Sequence, residues 1–260
     1  MKRVVFNQKG GVGKTSITCN LAAIDAAKGR RTLVIDLDVQ GNTTHYLVGE
    51  IDAEAFPAEA QGVCGLFKQT VGSRRMSRNP DAFVWETPHE NLFLMPSSPL
   101  LSELERELEA RYKIYKLRDA LQKLDTEYDR VYIDTPPNFN FYSKSALIAA
   151  DSVLIPFDCD SFARQSLYAL MENIAELQED HNEDLRVEGI VINQFNSQAR
   201  LPGELVAELE EEGYPVLSSY LSSSVKMRES HYLHRPLVDL APSHKLTRQY
   251  LDLHAELDRR

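Results

Sequence analysis

The sequence has few cysteines and no long apolar run. Cys19, Cys64 and Cys159 are widely spaced, and no Cys-x-x-Cys pair or nearby Cys/His partner occurs. This spacing predicts neither a disulfide framework nor a zinc site, so we expect the cysteines to be small buried residues. No apolar run approaches the roughly 20 residues that span a bilayer, and the apolar part of residues 1–6 is too short for a signal peptide. We therefore expect a cytoplasmic protein with no stable membrane insertion.

The chain also lacks a flexible linker, an internal repeat and an excess of positive charge. Its 260 residues are enough for one sizeable α/β domain, so we expect residues 1–260 to form a single domain. The formal net charge is −10, which argues against a protein that coats nucleic acid. Any contact with DNA must therefore come from a local basic face.

A glycine-rich loop stands at residues 9–15. It follows the apolar run Arg3-Val4-Val5-Phe6, precedes a helix-like stretch over residues 16–28, and reads Lys9-Gly10-Gly11-Val12-Gly13-Lys14-Thr15. In this position its backbone N–H groups and the next helix would surround a phosphate. We expect residues 10–16, including Ser16, to bind the nucleotide, with Lys14 at the β and γ phosphates and Thr15 holding Mg²⁺.

Strand and helix patterns alternate along the rest of the chain. Strands are predicted at residues 32–37, 91–95, 130–133, 152–156 and 187–193, and the clearest helices at 16–28, 100–124 and 163–178. This alternation predicts an α/β fold with a single doubly wound, mostly parallel sheet and helices on both faces.

Carboxylates follow two of these strands. Asp36 and Asp38 end one of them, and residues two apart on a strand face the same side. Asp134 ends another, after Val131-Tyr132-Ile133. Ligands bind at the carboxyl ends of strands in open α/β sheets, and a cation there would stabilise neighbouring carboxylates as anions. The sequence therefore places acids suited to phosphoryl transfer beside the loop.

Three motifs together resemble the ParA/MinD family of ATPases. They are the loop with its second lysine, Asp36-Leu37-Asp38-Val39-Gln40-Gly41-Asn42, and Asp134-Thr135-Pro136-Pro137. Gln8 stands where an ordinary Walker A loop has glycine, which is typical of the family's deviant form, and Val39 replaces the family's proline. The missing cluster cysteines argue against the nitrogenase iron protein, which shares this kind of loop.

The resemblance implies a role for each of several residues. Lys9 would reach the nucleotide of a dimer partner, and Asp38 would position the attacking water. Asp36 would lie near the metal through its water shell, and Asp134 would hold a metal-bound water. Asn193, at the end of a predicted strand, would contact the adenine edge, although an Asn that turns a strand into a loop is an alternative. We assign catalysis to Lys9, Lys14 and Asp38, and the metal to Thr15, Asp36 and Asp134.

Two further regions stand out. Residues 49–88 have no sustained period, which predicts a variable surface excursion with short helices. Residues 214–250 carry five basic residues against Glu229 and Asp239. A solvated positive face would explain this charge, but the resemblance favours DNA binding, for which we name Lys226, Arg228, Lys245 and Arg248.

The resemblance implies a slow, Mg²⁺-dependent ATPase switch closest to ParA-type proteins. Such a protein dimerises with ATP, binds nonspecific DNA on the nucleoid, and positions a plasmid, chromosome, carboxysome or chemotaxis cluster. A ParB-like or adaptor protein would stimulate its hydrolysis. A MinD-like division regulator is the first alternative, but it requires a basic amphipathic C-terminal helix. Residues 246–260 carry an apolar stripe but end in residues 252–260, which are too acidic and thinly apolar for that role, so we expect the stripe to pack on the sheet. A metabolic ligase of the dethiobiotin-synthetase type is the second, against which Lys9 and the Asp36/Asp38 pair argue.

Overall fold

The strand that leads into the glycine-rich loop lies inside the sheet, between two parallel neighbours. The computed structural model describes residues 1–50, 61–69, 78–159, 163–195 and 200–260. Its strands are β1 (Lys2–Val5), β2 (Thr32–Asp36), β3 (Trp85–Glu86), β4 (Leu92–Met95), β5 (Arg130–Asp134), β6 (Ser152–Phe157) and β7 (Arg186–Ile192). They form one sheet in the order β3-β4-β2-β5-β1-β6-β7, and only β3 is antiparallel to its neighbour. The predicted mostly parallel α/β sheet is confirmed.

Helices cover both faces of this sheet. They are α1 (Lys14–Ala27), α2 (Asn42–Val48), α3 (Gly62–Lys68), α4 (Leu101–Ala110), α5 (Lys116–Gln122), α6 (Phe141–Ala149), α7 (Ala163–His181), α8 (Arg200–Glu211), α9 (Val225–Tyr232), α10 (Leu237–Leu240) and α11 (Lys245–Leu257). Side chains alternate across each strand, so Leu33 and Ile35 pack in one apolar cluster and Val34 in the other. The first cluster includes residues of α3 to α8, and the second includes residues of α1, α2 and α9 to α11.

The predicted helix at residues 100–124 is wrong as a single element. The structure has two helices there, α4 and α5, because a left-handed turn at Tyr112, with a φ of 53°, ends the first. Leu117 and Leu121 of α5 are buried in the same cluster as Leu104 of α4. The spacing of apolar residues therefore continues across the turn at Tyr112, although the helix does not.

The predicted surface excursion at residues 49–88 is partly buried. Residues 51–60 and 70–77 lie outside the described part of the chain. Between them, α3 buries Val63, Leu66 and Phe67 in the core. The edge strand β3 then pairs with β4, which the sequence did not predict. A short helix of this kind is fixed by its tertiary contacts rather than by a repeating pattern.

Candidate nucleotide-binding site

The glycine-rich loop connects β1 to α1 at the carboxyl edge of the sheet. Gly11 and Gly13 adopt φ values of 76° and 93°, which side-chain-bearing residues rarely adopt. A Cβ atom on Gly13 would also lie 2.2 Å from the amide nitrogen of Asn193. The left-handed backbone therefore favours glycine at position 13, and a side chain there would displace the amide of Asn193.

Asn193, predicted to contact adenine, holds the loop in place. It directly follows β7, and its Nδ2 donates to the backbone oxygen of Val12 over 2.9 Å. Because a carbonyl can only accept, the amide nitrogen must face Val12, and the amide oxygen points elsewhere. Gln194 adds a second bond from its side chain to the oxygen of Gly11, over 3.0 Å. Two neighbouring side chains thus clamp the loop from the end of β7.

The two lysines of the loop meet within it. Lys14 is 7% exposed, and its Nζ donates to the backbone oxygen of Lys9 over 3.0 Å. Burial lowers the pKa of Lys14, and the nearby carboxylates of Asp134 and Asp38 oppose that effect. Lys9 is half-buried, and its N–H donates to the side chain of Asn7 over 2.9 Å. The Lys14 ammonium therefore lies in the loop, beside two acids.

Asp134 ends β5 and receives two hydroxyl groups on one oxygen. Thr15 and Thr43 donate to its Oδ2 over 2.7 and 2.6 Å. Its other oxygen is buried and accepts no hydrogen bond from the described residues. Burial raises the pKa of Asp134 to about 6, opposed by the two threonines and Lys14. An unpartnered buried carboxylate oxygen beside a threonine hydroxyl fits a hard divalent cation or its bound water.

Asp36 lies opposite Asp134 in the register of β2 and β5. Its Oδ2 accepts from the N–H and the hydroxyl of Thr44 over 2.8 and 2.7 Å, and its Oδ1 accepts from the N–H of Asp38 over 3.1 Å. Burial, followed by the negative charge of Asp134, raises the pKa of Asp36 to about 8. Both oxygens thus hold the loop and the first turn of α2, a role that the sequence did not predict.

Asp38 lies in the loop that follows β2 and is nearly buried. Its Oδ1 accepts from the N–H of Gln40 over 3.0 Å, and its backbone oxygen accepts from the hydroxyl of Ser97 over 2.5 Å. These contacts fix the backbone of the loop on both sides of the carboxylate. The structure therefore brings Asp36, Asp38 and Asp134 together with the phosphate loop, as their places at strand ends predict.

A cavity of about 430 Å³ opens beside the loop. Gly11, Gly13, Ser16 and Asn193 line one side of it, and Ser222–Ser224, Met227, Arg228, Leu246 and Tyr250 line the rest. Its volume suits a small organic ligand, and its position extends from the phosphate loop toward α9 and α11. We infer that this is the space for the base and ribose.

The four residues predicted to bind DNA do not share one environment. Lys226 is half-buried and forms an ion pair with Glu229 on the same helix. Arg228 is exposed but lines the nucleotide cavity. Lys245 and Arg248 are exposed one turn apart on α11. The structure thus leaves Lys245 and Arg248 as the pair that is separate from the nucleotide cavity.

Three residues of the site, and one residue that contacts Ser16 from outside the cavity, had no motif to identify them. Thr43 and Thr44 hold Asp134 and Asp36, and they directly follow the predicted aspartate motif. Their position at the start of α2 was the available signal. Ser97 reaches the loop of Asp38 from a distant part of the chain, and His231 contacts Ser16 from α9 over 2.9 Å without lining the cavity. No local pattern in the sequence indicates such contacts.

The C-terminal helix is part of the core. Leu246, Tyr250, Leu253 and Leu257 form one stripe on α11 and are buried in the apolar cluster that includes α1. Along the ranges that the structure describes, no helix combines the length and apolar character needed to cross a bilayer. The stripe therefore packs on the same face of the sheet as α1, as expected from the sequence.

Comparison with known proteins identifies the family of this chain. The family model of the AAA domain matches residues 2–187. The chromosome partitioning protein ParA of Myxococcus xanthus is 33% identical, and the match covers 98% of this chain and 87% of that protein. The sporulation initiation inhibitor protein Soj of Bacillus subtilis is 29% identical, over 97% and 96% of the two chains.

One similar solved structure was determined with a nucleotide analog bound. The cobyrinic acid a,c-diamide synthase of Mycobacterium smegmatis, bound to an ATP analog and magnesium, superposes with a TM-score of 0.76 at 26% identity, over 94% of this chain and 97% of that one. The phosphate loop, the carboxylates at the strand ends and these similarities agree. The chain belongs to the ParA family of P-loop ATPases.

Proposed function

We propose that the chain is an ATP-dependent dimerising switch that binds nonspecific DNA in its ATP state and positions or segregates a cargo. Residues 1–260 act as one ATPase domain on the nucleoid, and a ParB-like or adaptor protein stimulates hydrolysis. The observation that carries this proposal is that Lys14 bonds to the backbone of Lys9 beside Asp134, which accepts from Thr15 at the edge of the sheet. The partition proteins among its relatives support it.

The residues of the loop bind and orient ATP. The backbone N–H groups of the loop and the start of α1 face the phosphates, and Lys14 leaves the oxygen of Lys9 for the β and γ phosphates. Thr15 and Asp134 would hold Mg²⁺, which would supply positive charge to offset the negative charge of the phosphates. Asp38, fixed by the backbone contacts of its loop, orients the attacking water. The oxygen of Asn193 accepts from the adenine amino group.

Lys9 and Asp36 have supporting roles. Lys9 reaches a phosphate of the nucleotide that is bound to the second subunit, so that the two subunits together enclose two nucleotides. Asp36 holds the first turn of α2 by accepting hydrogen bonds from the N–H and the hydroxyl of Thr44. It therefore acts near the metal site without a direct bond to the ion.

DNA contact is proposed for the exposed basic residues of α9 and α11. Phosphate contacts of this kind bind without reading sequence, and they weaken steeply with salt. A change at Arg228 would also disturb the nucleotide cavity that it lines. Lys245 and Arg248 are therefore the sharper test of DNA binding.

The test measures dimerisation and DNA binding in one set of proteins. Wild type with ATP and Mg²⁺ should sediment as a dimer and bind duplexes of unrelated sequence equally at low salt, and neither should occur with ADP. Lys9→Ala should lose the dimer but keep its affinity for ADP. The double variant Lys245→Glu, Arg248→Glu should dimerise but lose DNA binding. Arg106→Glu, an exposed change on α4, is the control.

Two results would redirect the proposal. Failure of the wild-type ATP dimer to bind any duplex at low salt would remove DNA as the matrix. A MinD-like membrane role would then require another surface, because the apolar stripe of α11 is buried. Formation of a carboxyl or amide product, rather than ATP hydrolysis alone, would favour a metabolic ligase. The similarity to the synthase, at 26% identity, is the observation behind this alternative.

A further inference from the structure

Helix α2 contacts the carboxylates of the nucleotide site at one turn and α9 at the next. Thr43 bonds to Asp134 in its first turn, and the hydroxyl of Tyr46 lies 2.5 Å from Oγ of Ser230 on α9. Residues three apart in a helix share a face. Tyr46 is 1% exposed, and burial raises the pKa of its phenol. One face of α2 therefore links Asp134, at the end of β5, to Ser230 of α9, and the phenol of Tyr46 that makes the second contact is protonated.

His231 makes a second connection from α9. Its ring stacks on Tyr46 with a centroid distance of 4.1 Å and an interplanar angle of 9°. Its Nε2 lies 2.9 Å from Oγ of Ser16. Ser16 directly follows Thr15, the other donor to Asp134. The histidine thus touches both helices that carry the threonines of the site, α1 and α2.

Asn20 completes the connection inside α1. Its Nδ2 donates to the backbone oxygen of Ser16 over 2.8 Å and to the hydroxyl of Tyr46 over 3.1 Å, and its Oδ1 accepts from the N–H of Leu237 over 2.8 Å. Asn20 is 1% exposed. A buried network of this kind holds its members in one arrangement and resists partial displacement.

We propose that Tyr46 and His231 are positioning residues that couple the phosphate loop and α2 to α9. The inference rests on the proposed function, in which α9 carries DNA-contacting residues, and it names the device that regulates them. When the threonines around Asp134 rearrange with nucleotide, Tyr46 and Ser16 carry the displacement to Ser230 and His231. Closely packed groups shift between discrete arrangements rather than deform continuously, so α9 must follow.

The experiment follows the backbone amides of α9 by hydrogen exchange, with and without ADP and Mg²⁺. The variants are Tyr46→Phe, which removes the hydroxyl but keeps the ring, and His231→Phe, which keeps the stack but removes the contact with Ser16. Tyr232→Phe is the matched control, because that tyrosine is on the same helix and is 83% exposed. His231→Gln tests rescue, because its amide can again bond to Ser16. Affinity for ADP is measured for each protein.

In wild type and Tyr232→Phe, we expect ADP to slow exchange in α9. In Tyr46→Phe and His231→Phe, this response should fall at least about fivefold, the lower range of an allosteric coupling, while ADP affinity changes less than about twofold. His231→Gln should recover part of the response. Because Met227 and Arg228 line the cavity and ADP can contact them directly, the response is read at the amides of residues 230–232, which do not line it.

Two outcomes would overturn the inference: an α9 that does not respond to ADP in wild type, or a response that survives in both Tyr46→Phe and His231→Phe. A parallel loss of ADP affinity and of α9 response would also contradict it, because a merely structural role predicts that pattern. Binding of wild type to duplex DNA with ATP is measured separately. Its absence would refute DNA binding and leave the exchange result valid.

Discussion

The Thr15 hydroxyl donates to Asp134 over 2.7 Å, between residues 119 positions apart in the chain. This bond joins the first turn of α1 to the end of β5, and it leaves the second Asp134 oxygen buried without a partner among the described residues. A carboxylate in this state costs stability when it is ionised and nothing binds it. The arrangement favours ligand binding over the stability of the free protein.

The first prediction concerns the pH dependence of that cost. The pKa of Asp134 is raised to about 6 from 3.8, so the folded state holds the proton more tightly than the unfolded state. The protonated Asp134 therefore contributes to the free energy of unfolding. This contribution is complete below about pH 4 and is lost as the pH rises through 6. The stability of Asp134→Asn relative to wild type should therefore rise over this window, by about 3 kcal/mol at most.

This difference is measured by thermal unfolding at several pH values without nucleotide or Mg²⁺. Groups other than Asp134 titrate in both proteins, so they largely cancel, apart from the coupling to Asp36. A relative stability that stays constant from pH 4 to 7 would contradict the proposed burial of the charge.

The second prediction concerns Gly13. Gly13→Ala would need a left-handed backbone, and its Cβ would collide with Asn193. We expect the variant to lose ATP binding. Backbone strain should also lower its free energy of unfolding by roughly 1–3 kcal/mol, so it should unfold at a lower temperature. Gly10→Ala is the control for stability, because Gly10 has no positive φ and open space around its Cβ position. Equal melting temperatures for the two variants would argue against this loop geometry.

The third prediction concerns Lys14. Lys14→Ala removes the ammonium that lies in the loop, so affinity for ATP should fall by at least about 100-fold, as expected when a charge-assisted contact of 3 kcal/mol is lost. Calorimetry or a fluorescent ATP analogue measures it. Lys123→Ala, an exposed change on the other face of the sheet, should bind normally. Near-normal affinity of Lys14→Ala would remove the phosphate-loop assignment.

The fourth prediction separates binding from hydrolysis. Asp38→Ala should bind ATP and dimerise, because the loop and Asp134 are intact, but turnover should fall by about 10²-fold or more, the usual contribution of a positioned proton acceptor. The trapped dimer should persist on a sizing column with ATP. Wild-type turnover in this variant would move the water-positioning role to another group, with Asp36 the next to test.

The sequence predicted the parts of the site that local spacing determines. The glycines and lysines of the loop and the acids at the strand ends have positions that follow from backbone geometry, so their proximity could be predicted, while the roles expected of them came from the loop motif and the family resemblance. The contact between Ser16 and His231 joins residues 215 positions apart. It depends on how α9 packs, which no local period encodes. The break between α4 and α5 was missed for a related reason, because burial of Leu117 continues the pattern of α4 across a turn.

The last prediction concerns a buried ion network between α1 and α11. Asp25 is fully buried and accepts from His254 over 2.8 Å, Tyr132 over 2.7 Å and Arg30 over 2.6 Å. Burial alone would raise the pKa of Asp25, but these hydrogen bonds outweigh it and hold the pKa at about 2. The resulting stability is present above about pH 4 and is lost as the pH falls toward 2. Asp25 therefore anchors α11 on α1 throughout the neutral range.

Asp25→Asn should destabilise the protein at pH 7 by about 1–3 kcal/mol, because it removes a buried carboxylate that accepts hydrogen bonds from His254, Tyr132 and the Arg30 guanidinium. Asp119→Asn, an exposed change on α5, should have little effect.

Asp25, His254 and Asp258 are also close enough to suggest a metal site, but Arg30 bonds to both carboxylates and Lys28 to the imidazole. We therefore expect EDTA to leave the melting temperature unchanged. A drop with EDTA that zinc restores would show that this cluster binds a metal instead.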